Sequence, residues 1–183
     1  MVEDNNLVIQ KNTFQTCFYE IQLNYDNAKL TNFVSKLSFG KDDQNMSTFF
    51  DEKNIINNSL LNDFKKFLIT HLQIICEKIY NKEKIEISNS WFQAYGLDNQ
   101  HEMHVHGISE NSFSLIYYVQ ATENSSSTTF YKPGFPYVLD TDSIKDVVAE
   151  TGKLVIFPGY LPHKVKPNKD QERIIFSANF RLY

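Results

Sequence analysis

The spacing of apolar residues divides the chain near residue 85. Before that point, two stretches repeat at helical intervals. In "YDNAKLTNFVSKLSFG" (25–40), Leu30, Phe33, Val34 and Leu37 share one face, Asp26 is placed to cap the start, and Gly40 is placed to end it. In "NSLLNDFKKFLITHLQIICEKIY" (58–80), Leu60, Leu61, Phe64, Phe67, Leu68, Leu72, Ile75, Cys76 and Ile79 form a wide stripe. A stripe that broad must lie against another element. His71 falls on or beside it and reads as a packing residue. Ahead of the helices, "TFQTCFYEIQL" (13–23) alternates as a strand does, and the polar, Asn-rich stretch 41–57 reads as a loop.

After residue 85 the period shortens to two. "KIEISNSWFQAYG", "SFSLIYYVQ", "STTFYK", "KLVIFPG", "HKVKP" and "RIIFSANFRLY" are short strands separated by Gly, Pro, Asn and Asp. Only "DSIKDVVAE" could add a helix. Closely spaced short strands predict an antiparallel sandwich or barrel. The fold class is therefore α+β, mainly β, with the early helices packed on the larger sheet. The expected organisation is a single domain over 1–183. Residues 1–84 supply a strand and supporting helices, and 85–183 supply the β core.

Composition narrows the function. The net charge of −4 gives no electrostatic reason to expect nucleic acid as a partner. The two cysteines, Cys17 and Cys76, lack metal-ligand spacing and suit a reduced setting, so a cytoplasmic location is expected. The acidic, polar start "MVEDNNLVIQ" predicts no signal peptide, and the apolar runs are too short to span a bilayer.

Chemistry concentrates in "HEMHVHGIS" (101–109). This segment holds three of the five histidines. Residues two apart on an extended backbone face one side, so His104 and His106 can approach one metal ion, and imidazole suits Fe, Zn, Cu and Ni. His101 is out of register with them and reads as a polar loop residue. Farther on, "GKLVIFPGYLPHKVKP" (152–167) has a strand, a turn, and then His163 at the start of another strand. Ten positions later, Arg173 opens the apolar run "RIIFSANF". A buried arginine needs an anion, which can come from the chain itself or from a ligand carboxylate gripped by both prongs of the guanidinium.

The ordered set "AYG" (94–96), "HVH" (104–106), "IYYV" (116–119), "FPGYLPHKVKP" and Arg173 resembles the iron(II)- and 2-oxoglutarate-dependent oxygenases. The prolyl-hydroxylase-type branch is closer within that superfamily. Small phage and bacterial members that carry H-x-H are closer still. The likeness spans about residues 91–180. It implies a double-stranded β-helix, also called a jelly roll, with the metal at its open end. It further implies Fe(II), 2-oxoglutarate and O2 as cofactor and co-substrates, His104 and His163 as iron ligands, and Arg173 as the anchor of the distal carboxylate. Tyr118 and Tyr95 match tyrosines that hydrogen-bond the same carboxylate. The pattern departs at His106, where the family usually has Asp or Glu. Either His106 is the third ligand, or water or Glu102 takes that place. The expected reaction is hydroxylation of a small molecule or a peptidyl side chain, coupled to oxidative decarboxylation of 2-oxoglutarate. The alternatives are a three-His metal enzyme that does not use 2-oxoglutarate (a zinc hydrolase or a cupin-type dioxygenase) and a non-catalytic metal-binding barrel. The loop 41–57 and the segment 132–150, with Pro133, Gly134 and Pro136, are placed to flank the mouth.

Overall fold

A computed structural model of the protein describes residues 16–37, 40–42, 45–47, 58–134, 143–170 and 173–183. The strands are β1 (Tyr19–Gln22), β2 (Gly40–Asp42), β3 (Asn45–Ser47), β4 (Ile85–Tyr95), β5 (His101–His104) and β6 (Ser112–Gln120). They continue as β7 (Thr128–Tyr131), β8 (Ile144–Val147), β9 (Lys153–Pro158), β10 (His163–Val165) and β11 (Arg173–Leu182). The helices are α1 (Asn27–Val34) and α2 (Ser59–Tyr80). A seven-stranded sheet runs β1-β9-β6-β11-β4-β3-β2, and a four-stranded sheet runs β5-β10-β7-β8. Every pairing is antiparallel. This is the double-stranded β-helix that the resemblance implied.

Strand alternation on the larger sheet builds two cores. Leu115, Tyr117 and Val119 of β6, Leu154 and Ile156 of β9, and Phe176, Ala178 and Phe180 of β11 point towards the helices. There they meet Leu30 and Val34 of α1 and Leu61, Phe64, Leu68, Leu72 and Cys76 of α2. The intervening residues Ile116, Tyr118, Val155, Phe157 and Ile175 point the other way, towards the smaller sheet. The stripe on α2 is thus answered by the outer face of the sheet. Asn58 caps α2 by accepting from the Leu61 amide at 3.2 Å, and Asn81 ends it in the left-handed conformation (φ 51°). His71 packs on Phe67 and bonds the Phe67 carbonyl at 2.8 Å, as its place on the stripe suggested.

Five local expectations need correction. Helix α1 stops at Val34 rather than near residue 40, because its last amides tighten onto carbonyls three back (Lys36 to Phe33, Leu37 to Val34). Asp26 makes no side-chain cap; its carboxylate lies 3.0 Å from the Lys29 ammonium. Gly40 is no helix stop, because it pairs with Ser47 across a short hairpin that joins the sheet edge through Met46 and Ala94. Residues 41–42 and 45–47 of the expected loop therefore belong to β2 and β3, recruited by backbone bonding rather than by an apolar pattern, and 43–44 lie outside the described residues. The described part of the segment "DSIKDVVAE" adds no α-helix; it holds β8, which pairs with β7. Residues 13–15 of the expected first strand, 48–57 of the loop, and 135–142 of the second mouth segment, including Pro136, lie outside the described residues.

Candidate metal centre

The distal histidine enters from β10, where His163 pairs with His104 of β5 on one side and Phe130 of β7 on the other. His106 lies just past β5. Its amide donates to the Gly159 carbonyl at 2.8 Å, and the Gly159 amide donates to the Ser112 carbonyl at 2.8 Å. The turn is tight here. A Cβ on Gly159 would stand 3.3 Å from backbone atoms of both Gly107 and Ser112.

These constraints bring His104, His106 and His163 together, with one ligand nitrogen from each lying within 4.8 Å of the others. The Nδ1 of His104 donates to the Glu102 carbonyl at 2.7 Å, and the Nδ1 of His163 donates to the Leu161 carbonyl at 3.0 Å. Backbone acceptors thereby fix the tautomer, leaving each Nε2 lone pair free for a cation. The Nε2 atoms of His106 and His163 are 3.2 Å apart. Two nitrogens about 2.1 Å from one cation, at a right angle, would be roughly 3 Å apart, so the spacing suits a shared ion. Burial, and then the neighbouring imidazoles, push His106 down to about 4 and His163 well below its usual range. Burial also lowers His104. The cluster is neutral at pH 7, the form that binds metal.

The carboxylate of Glu102 stands apart. It is exposed and accepts from Gln100 Nε2 at 3.0 Å. His101 is not a loop residue. It opens β5 and stacks on His104 with centroids 4.0 Å apart, while its Nδ1 lies 3.3 Å from Gln93 Nε2. Between the pairs His163–His104 and Val165–His101, β5 carries one extra residue. This bulge lets residues three apart share a face, which strict alternation forbids.

Arg173 begins β11 and is 0 % exposed. Its guanidinium lies 4.3 Å from the Tyr95 ring centre and 5.3 Å from that of Tyr118. Its Nη2 donates to Thr128 Oγ1 at 3.0 Å, but Nε and Nη1 are buried without a partner. No carboxylate among the described residues is paired with it. The Tyr95 hydroxyl beside it is also buried and unpartnered, and burial pushes its pKa up to about 12. The Tyr118 hydroxyl shares a hydrogen bond with Thr128 Oγ1 at 2.8 Å. Thr128 pairs with Val165, two residues along β10 from His163. That separation is about 7 Å, close to the length of a five-carbon diacid. Leaving such a cation unpaired is costly, so this corner can accept an anion. Thr128 was not legible beforehand, because only the β7–β10 pairing and the Arg173 rotamer distinguish it from Thr129.

The sequence over 89–179, from β4 into β11, matches the family model described as "Putative 2OG-Fe(II) oxygenase". The chain belongs to the 2-oxoglutarate- and iron(II)-dependent oxygenases. The family is one of oxidoreductases that use Fe(II), 2-oxoglutarate and O2. Among solved structures, it is similar to HygX from Streptomyces hygroscopicus, crystallised with nickel and 2-oxoglutarate (10% identity, TM-score 0.68, 91% of this chain and 83% of that one). It is also similar to a Pseudomonas putida prolyl-4-hydroxylase (14%, 0.61, 91% and 92%). A third likeness is to an oxidoreductase of the 2OG-Fe(II) oxygenase family from Burkholderia pseudomallei (12%, 0.50, 60% and 49%), of which the chain spans about half the length. At these identities the likeness is one of fold. No curated protein matches the chain in sequence. Among the described residues, no helix is long and apolar enough to cross a membrane.

Proposed function

We propose that His104, His106 and His163 hold one Fe(II), that Arg173 receives the far carboxylate of 2-oxoglutarate, and that the chain hydroxylates a C–H bond of a second substrate. The observation that carries this reading is the fully buried guanidinium with two partnerless nitrogens, bonded to Thr128, whose cross-strand partner Val165 is two residues from His163. Tyr95 supplies a further unpartnered hydroxyl for that carboxylate. Thr128 holds the guanidinium and the Tyr118 hydroxyl in place. In the overall reaction, 2-oxoglutarate, O2 and R–H give succinate, CO2 and R–OH, with one oxygen atom entering succinate and the other the product. Iron, when bound, supplies the redox chemistry that lets O2 react. The residues fix the ligand tautomers, orient the diacid and shield the centre. Three neutral ligands leave the metal more positive than a set containing a carboxylate would, which favours a tighter grip on a dianion. The exposure of Glu102 and its bond to Gln100 favour His106 as the third ligand.

Anaerobic titration tests this reading. One Fe(II) per chain should bind, and 2-oxoglutarate should then raise a weak visible charge-transfer band. His163→Ala should lose the iron. Arg173→Ala should keep the iron and require far more 2-oxoglutarate for the same band. Iron binding without any such band in the native protein would instead support a three-His enzyme of the cupin type.

A further inference from the structure

The inner face of the larger sheet is not apolar throughout. Beyond Ser177, the inward residues of β11 are Asn179 and Arg181. Asn179 pairs with Asn89 on β4 and with Ser114 on β6, making a polar row across three strands. The Ser114 hydroxyl donates to Asn179 Oδ1 at 2.7 Å, while Asn89 Oδ1 is buried without a partner. In the next row, Arg181 stands between Glu86 and Ser112. Its guanidinium is exposed and forms no ion pair with Glu86 or any other described carboxylate. Asn89, Ser112, Ser114, Asn179 and Arg181 line a cavity of about 220 Å³, and His106 forms part of its wall; Glu86, beside Arg181 in the register, lies outside that lining.

The cluster of histidines thus lies between two polar ends of one face. His106 packs against Trp91, which pairs with Ser177, midway along β11. Arg173 lies towards one end and Arg181 towards the other, eight residues or roughly 27 Å apart along an extended strand. The buried end suits a diacid. The open end has one cation, an unpartnered buried acceptor and a fixed hydroxyl. Folding does not require such a lining, because apolar residues would bury more favourably there.

We infer that this cleft takes the second substrate, and that the substrate is an amino-acid-sized zwitterion. The inference rests on the reading of the iron centre given above. A carboxylate of the substrate meets Arg181. Its ammonium group faces the Asn89 acceptor. The remainder, held against Ser114 and Asn179, reaches His106 and the metal position. One cation, Arg181, and one unpartnered buried acceptor, Asn89 Oδ1, in the same lining favour a zwitterion over a dianion such as phosphate, and the cavity volume suits one free amino acid better than a folded protein surface.

The test uses the native chain loaded anaerobically with Fe(II) and 2-oxoglutarate, and calorimetry with the twenty free L-amino acids as probes. At least one should bind, and both its N-acetyl and its carboxamide derivative should bind at least 10-fold more weakly. Arg181→Gln should weaken the free acid at least 10-fold, leave the carboxamide nearly unchanged, and keep the 2-oxoglutarate band, which also shows that the variant folds. Asn89→Ala should weaken the free acid as well. The inference is overturned if the band forms yet no amino acid binds, or if a blocked peptide binds as tightly as the free acid. It is also overturned if inorganic phosphate competes with the same dependence on Arg181. If the native protein forms no band with Fe(II) and 2-oxoglutarate, the reading of the centre has failed and this inference falls with it.

Discussion

The two faces of the seven-stranded sheet solve different problems with the same alternating strands. The face towards α1 and α2 is packed with Leu115, Leu154, Phe176 and Phe180 against Leu61, Phe64 and Leu68. The Tyr117 hydroxyl on that face is satisfied by Asn27 at 2.9 Å. The face towards the smaller sheet buries Arg173, His163 and Thr128 among its apolar residues, and leaves polar atoms of Arg173, Tyr95 and Asn89 without partners. The first face is satisfied by the protein alone. The second leaves polar atoms that a ligand can meet. Stability therefore resides mainly on one side of the sheet and binding on the other.

The comparison can be broken most forcefully at Phe64, which is 0 % exposed and packs on Tyr117 and Phe176 with ring centres 5.2 Å from each. Phe64→Ala should cost about 3–5 kcal/mol of stability. It should leave the 2-oxoglutarate dissociation constant of the folded fraction unchanged. A large change in that constant would mean that the two faces are coupled.

Arg173→Leu should do the opposite. It should weaken 2-oxoglutarate about 100-fold, the scale expected when one partner of a buried charged pair is lost. Stability of the metal-free protein should stay within about 1 kcal/mol, because the removed cation was unpaired and its ring contacts are worth only about as much as its burial costs. Chemical denaturation with and without ligand would check both halves. A loss of several kcal/mol without ligand would show that Arg173 is structural.

Tyr95→Phe sharpens the picture at smaller scale. It removes a partnerless hydroxyl and leaves the ring beneath the guanidinium. One hydrogen bond is worth about 1 kcal/mol, so 2-oxoglutarate should bind roughly 5-fold more weakly while the metal-free protein is no less stable. Equal affinity in the variant would remove Tyr95 from the carboxylate site.

The outer face was the more legible in the sequence. The stripe on α2 and the alternation of "SFSLIYYVQ" and "RIIFSANFRLY" depend on period alone, and the structure pairs them as periodicity suggests. The inner face was legible only where chemistry is rare enough to stand out, as with "HVH", His163 and Arg173. His101 was misplaced because a bulge shifts the facing of β5, and no residue in "HEMH" announces it. Thr128 and Asn89 were passed over because a threonine or asparagine in a strand looks ordinary until its cross-strand neighbours are known. The hairpin β2–β3 carries no apolar signal, since its backbone is claimed by the sheet edge.

The most direct test is a crystal of the protein soaked anaerobically with Mn(II) and N-oxalylglycine, an unreactive mimic of 2-oxoglutarate. The account predicts one Mn(II) bound by the Nε2 atoms of His104, His106 and His163, and the mimic's far carboxylate bonded by Arg173 Nη1 or Nε and by the Tyr95 hydroxyl. Metal held by Glu102 in place of His106, or a carboxylate bound away from a guanidinium that is still unpartnered, would contradict it.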